Sequence, residues 1–179
     1  GFAALAAATL TLLGIVPAHA DDVIDIEDSR LEACILEQLG LDDGDDITNG
    51  DAANVTALAC PNAGIGALGG MQHFSSMTQL DLRGNDISDL APLGGLAALE
   101  NLTLNFNLID DISALGGLEG LNSLWLHGND IADISDLRSL DLSALGLNSN
   151  NVTDLTPLAE MDSLSRLQLN ANGIRDLKP

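Results

Sequence analysis

The side chains with reactive chemistry are few and far apart: Cys34 and Cys60, the histidines His19, His73 and His127, and 27 Asp and Glu against six Lys and Arg. Acyl or phosphoryl chemistry needs a nucleophile, a base in hydrogen-bond reach of it and a group that orients the base, and no such set converges in this sequence. The chain is therefore expected not to be an enzyme, and no cofactor is implied. No cysteine–histidine spacing fits a zinc site. The Asp cluster that begins in the acidic loop from Leu41 to Asp46 invites a calcium reading. Yet placing Gly50 at the sixth position of an EF-hand puts Ile47 at a ligand position and Thr56 where Glu is required. No specific metal site is assigned, and weak divalent-cation binding to the acidic surface stays open. What remains is recognition chemistry. Trp125, the only tryptophan, together with Asp81, Arg83, Asn105, Phe106, His127 and Asn148, supplies the aromatic, guanidinium and amide groups that anchor interfaces.

Those residues recur at one spacing, which says what positions them. The stretch Met77 to Ala98, MTQLDLRGNDISDLAPLGGLAA, places Met77, Leu80, Leu82, Asn85, Ile87, Leu90 and Leu93 in a pattern that returns down the chain. Its asparagines fall at Asn85, Asn107, Asn129, Asn150 and Asn172, so subtraction gives spacings of 22, 22, 21 and 22. The units run Met77 to Ala98, Leu99 to Gly120, Leu121 to about Asp141, Leu142 to Ser163 and Leu164 to Pro179. A degenerate unit precedes them, with Val55, Leu58, Cys60, Ile65 and Leu68 in register and Ala63 in place of the asparagine. About six units are thus expected over 55–179, the last incomplete. A period near 22 residues with L-x-x-L-x-L-x-x-N-x-L spacing is that of a leucine-rich-repeat solenoid. Aromatic residues make up 2% of the chain, so its core must be aliphatic.

Other segments frame the repeats. Residues 1–20, GFAALAAATLTLLGIVPAHA, carry no charged side chain other than His19 and end in Ala18-His19-Ala20, the pattern of a secretory signal peptide truncated at its start. The apolar run before Pro17 is short of the roughly 20 residues that a membrane span needs. Residues 21–54 are read as an N-terminal helical cap. Ser29-Arg30-Leu31-Glu32 reads as a capping box that starts a helix. Leu31, Cys34, Ile35 and Leu39 share its apolar face, and Gly40 stops it. A second short helix is expected from Thr48-Asn49-Gly50-Asp51 to about Ala53. Such helices would hide the leucines of the first coil, which have no preceding neighbour. Leu177-Lys178-Pro179 stops inside a unit, so the chain is expected to be part of a longer protein.

Asn85-Asp86-Ile87-Ser88-Asp89-Leu90-Ala91-Pro92-Leu93 and Asn150-Asn151-Val152-Thr153-Asp154-Leu155-Thr156-Pro157-Leu158 resemble the bacterial 22-residue, internalin-like subclass of leucine-rich repeats. The stretch from Leu31 through Ile47-Thr48 to Leu58 resembles the helical caps of its secreted members. The resemblance implies an α/β solenoid, with a curved parallel sheet on the concave face and short helical or 3-10 segments on the convex face. It implies a binding surface and, in general, no catalytic machinery.

In this register Cys34 faces inward from the cap helix and Cys60 occupies a leucine position of the first strand. In an exported chain a Cys34–Cys60 disulfide is expected, against the alternative of two buried thiols. Asn85, Asn107, Asn129, Asn150 and Asn172 should form an inward ladder that satisfies backbone groups. The column Asp89, Asp111, Asp133, Asp154 and Asp176 should bond backbone amides of the following turn, with a cation ladder as the other reading. The outward column runs Asp81, Thr103, Trp125, Gly146, Gln168, and beside it Arg83, Asn105, His127, Asn148, Asn170. There Trp125 is expected to point to solvent.

A formal charge of -21 at pH 7 disfavours nucleic acid and anionic membranes, since both repel such a surface. Together these features predict a secreted, periplasmic or cell-surface module. It would act as a monomer without membrane insertion, binding a protein or glycan through its concave face. The competing expectation is a rigid spacer or recognition segment of a larger surface protein or exoenzyme.

Overall fold

The computed structural model describes residues 22–176. The signal-peptide expectation for 1–20 and the terminal stretch 177–179 lie outside the described residues. Six three-residue strands form one parallel sheet in chain order: β1 (Ala57–Ala59), β2 (Gln79–Asp81), β3 (Asn101–Thr103), β4 (Ser123–Trp125), β5 (Ala144–Gly146) and β6 (Arg166–Gln168). Each strand has a leucine at its centre, and the register pairs Leu58, Leu80, Leu102, Leu124, Leu145 and Leu167. Side chains alternate across a strand, so the central leucine turns inward while its two neighbours face out. The second leucine, two residues on, turns inward again, as at Leu82, Leu104, Leu126 and Leu147, all fully buried.

The convex side closes each of the first five coils with a short 3-10 segment: Met71–His73, Ala91–Leu93, Ser113–Leu115, Ser135–Ser139 and Thr156–Leu158. Pro92 and Pro157 sit in the first turn of their segments, where a missing N–H costs nothing. The coil that is one residue short carries the five-residue Ser135–Ser139 segment, while Ser123 still pairs with Ala144 across the sheet. The length change is absorbed on the convex side. One continuous core of Leu, Ile, Val and Met runs the length of the stack, with Phe74 fully buried in its first coil.

The cap is built from α1 (Ser29–Leu39) and α2 (Asn49–Ala52). The start of α1 differs from the expected capping box. The N-cap is Asp28, whose carboxylate accepts from the Arg30 amide at 2.8 Å. The same carboxylate accepts from the Gly66 amide at 2.7 Å, so Asp28 starts the helix and ties it to the first coil. Burial alone would raise the Asp28 carboxyl, but the amides of Gly66, Arg30 and Ala67 outweigh it and hold it below its ordinary 3.8. The buried face of α1 is Leu31, Ile35 and Leu36. Gly40 stops the helix with φ 70°. Thr48 and Asp51 form a capping box at α2.

Further bonds weld cap to coil. The Glu27 amide donates to the Gly69 carbonyl at 3.1 Å, and Arg30 Nη1 donates to the Gly64 carbonyl at 3.0 Å, while the Ile24 amide donates to the Ile47 carbonyl at 2.7 Å within the cap itself. Gly70, at φ 101°, lies so close to the Asp25 carbonyl and Ile26 that a Cβ there would come within 2.8 Å of that oxygen. Cys34 and Cys60 are joined by a disulfide. Cys34 itself is half-buried and packs against the edge of the core.

Candidate functional site

Just beyond each strand the chain must turn outward, and two hydrogen-bond ladders hold it there. The inner one is the asparagine ladder. Asn107 Oδ1 accepts from the Ile87 amide of the preceding coil at 3.1 Å, and Nδ2 donates to the Leu82 and Leu104 carbonyls at 3.1 and 3.0 Å. Asn129 and Asn150 repeat this pattern within 0.1 Å of that accepting distance. Asn85 bonds the Ala63 and Ile65 amides of the first coil, and Asn172 does the same service for Val152. Asn85, Asn107, Asn129 and Asn150 are buried to between 5 and 7% exposure, and none of their polar atoms lacks a partner.

The residue before each ladder position is left-handed: Asn62, Gly84, Phe106, Gly128, Ser149 and Ala171 all have φ between 55° and 71°. Glycine takes that conformation freely, whereas a side-chain-bearing residue is disfavoured by roughly 1 kcal/mol. Phe106 is the bulky member of this column.

The outer ladder runs along the concave face and uses no single residue type. The His127 amide donates to Asn105 Oδ1 at 2.8 Å, the Asn148 amide to His127 Nδ1 at 3.0 Å, and the Asn170 amide to Asn148 Oδ1 at 2.7 Å. Three residues read from sequence as recognition groups therefore already use an acceptor within the fold. Because His127 Nδ1 accepts, the neutral ring carries its proton on Nε2. Burial holds His127 below its ordinary 6.5, in keeping with an accepting nitrogen. Arg83 has no acceptor to offer and starts the ladder without a rung. Its own amide turns to Asp81 Oδ1 at 3.2 Å, and its guanidinium pairs with Asp81 Oδ2 at 3.2 Å.

On this face Trp125 and His127 lie side by side, with ring centroids 5.6 Å apart and planes at 51°. Trp125, expected to point to solvent, stands on the outward face but is half-buried. The reason is Gly146 in the next strand, where an added Cβ would collide with both the indole and the imidazole. The two rings lean into the space that Gly146 leaves. Within the described residues the indole N–H is bonded to no protein group. Arg83 stays more than half exposed. Asp81, Thr103 and Trp125 stand in one cross-strand row. Phe106 lies off the sheet, at the turn that follows β3. The first strand contributes a feature that its small residues concealed in sequence. Ala57 and Ala59 leave a recess of about 390 Å³ between Gln38 of the cap and Gln79, Asp81, Asn101 and Thr103.

The aspartate column is turned to local use. Asp89, Asp111, Asp133 and Asp154 accept from the amides of Ala91, Ser113, Ser135 and Thr156 at 2.8 to 2.9 Å. The amide lies two residues ahead in the same coil, not in a neighbouring one, because the short Asx loop closes before the next coil comes within reach. These backbone bonds, with the Ser113 and Ser135 hydroxyls, hold Asp111 and Asp133 below the usual carboxylate value. For Asp154 the Thr156 hydroxyl has the larger effect.

Residues 75–117 match the family of Leucine Rich repeats (2 copies). An internalin (inlF) from Listeria monocytogenes superposes with a TM-score of 0.83 at 31% identity, over 93% of this chain and 49% of its own. This chain thus spans about half the length of that protein. Internalin C2 of the same organism gives 0.64 at 29% identity, over 85% of this chain and 78% of its own. A leucine-rich-repeat protein of Leptospira interrogans gives 0.56 at 26% identity, over 58% and 28%. No curated protein matches the chain significantly.

Proposed function

The chain is an internalin-like leucine-rich-repeat solenoid, and from that premise we propose that it is an exported module whose concave sheet binds a protein. The reading is carried by the Trp125–His127 pair, held over Gly146 with the indole N–H unpartnered. A pre-positioned aromatic loses little side-chain freedom on binding, and Trp and Arg are the residues that most often dominate interface energies. His127 Nε2 and the Arg83 guanidinium add donors on the same face. Export is supported by the signal-like segment 1–20 and by the Cys34–Cys60 bridge, since such bridges persist in oxidising compartments. Among the described residues no helix is long and apolar enough to cross a membrane.

The test is a screen of the chain against panels of extracellular proteins and of glycans, following Trp125 emission, which no other Trp or Tyr obscures. A protein ligand whose affinity falls at least tenfold in Trp125→Ala supports the reading. A glycan hit moves the ligand class. Silence in both panels favours the rigid spacer.

A further inference from the structure

In five of the six coils the outward turn after the strand is polar or small, and in the third it is not. Backbone bonds set Gly84, Phe106 and Gly128 in one column, through Gly84 N to Asn105 O, Phe106 N to His127 O and Gly128 N to Asn148 O. A second column holds Asp86, Leu108 and Asp130, each amide bonded to the preceding coil at 2.8 to 2.9 Å. The third coil thus puts Phe where its neighbours have Gly, and Leu where its neighbours have Asp. Both side chains are out in water: Phe106 is 66% exposed and Leu108 56%. Phe106 also adopts the left-handed conformation, φ 58°. Its ring lies against Gly128, where an added Cβ would come within 2.6 Å of Cδ1, so the Cδ1–Cε1 side is seated while most of the ring is presented. The pair forms an apolar knob with a carboxylate on either side.

From this arrangement we infer that the Phe106–Leu108 knob docks against an apolar surface flanked by Arg or Lys on a partner protein. The occupant follows from charge. Desolvating Phe and Leu drives association, while Asp86 and Asp130 at the edge reward a cationic rim and repel an anionic one. A second copy of the chain would bring its own formal charge of -21 against the same carboxylates, and an anionic membrane surface would be repelled in the same way. The knob lies off the concave sheet, so this inference stands whether or not Trp125 binds anything.

The test uses the full chain and a fluorescein-labelled amphipathic helical peptide of Leu and Arg, with its Leu and Glu counterpart and neutral phosphatidylcholine vesicles beside it. Phe106→Gly and Leu108→Asp take their residues from the flanking coils, so the fold has a precedent for both, and circular dichroism checks it. Leu108→Asp adds negative charge and would strengthen any purely electrostatic capture. The expected result is saturable binding of the basic peptide, weakened by salt, at least tenfold weaker in each variant and unchanged in Trp125→Ala. Variants that bind as the native chain does, equal binding of the acidic peptide, or capture by the vesicles would overturn the inference. So would light scattering that shows the native chain pairing with itself through Phe106 and Leu108.

Discussion

The two ladders do the same job on opposite sides of one turn, and they are built to different tolerances. Inside, five coils use asparagine at the same position, because a buried amide there must both accept from one coil and donate to two carbonyls. No other side chain of that size has both halves. Outside, an acceptor alone is enough, since water satisfies whatever the residue leaves unpaired, and the rungs are Asn105, His127 and Asn148. Burial therefore fixes identity, and exposure fixes only a chemical role. The outer ladder can change residue by residue without loosening the coil.

That contrast can be broken at its strong end. Asn129→Ala strands the Ile109 amide and the Leu104 and Leu126 carbonyls, and urea unfolding should show a loss of about 3 kcal/mol. Asn148→Ala removes the outer rung to Asn170 at a place water can reach, and should cost about 1 kcal/mol. A loss equal to that of Asn129→Ala would mean that the outer ladder is as constrained as the inner.

The pH dependence is smaller and has a definite sign. His127 has a folded value below 6.5, so above that pH both folded and unfolded states hold a neutral ring and stability is flat in this group. As pH falls below 6.5 the unfolded chain takes the proton first. Stability then declines until the folded value is passed. His127→Asn keeps the acceptor and should remove that part of the slope, read as the difference between the two unfolding profiles. The smallest effect sharpens the comparison. Arg83→Asn supplies the rung missing below Asn105 and should raise stability by about 0.5 kcal/mol.

The inner architecture was legible because the core imposes one residue type at one spacing. Leucine at the strand centres and asparagine at the turn gave the period, the strand register and the missing residue after Asn129. The start of α1 was not, because Asp28 and Ser29 are both good capping residues. Only the Gly66 amide, far along the chain, decides between them. The left-handed column escaped notice because Gly84 and Gly128 signal it while Phe106, Ser149 and Ala171 do not. Trp125 was correctly placed on the outward column, but its tilt depends on Gly146 in the next coil. That contact is visible only once two strands are side by side. Likewise nothing in the order Asn, His, Asn marks a ladder until the coils are stacked.

The disulfide between Cys34 and Cys60 has a mechanical consequence. A pull applied at the N-terminal side of the cap passes through the sulfur atoms directly to Cys60, just past β1, bypassing residues 35–59, so the second half of α1, all of α2 and β1 itself are shielded from load. No covalent link crosses between the later coils, whose bonds yield one coil at a time. Stretching should therefore give a series of short extensions under oxidising conditions, with a longer one added after reduction, and the solenoid behaves as a tether with one reinforced end.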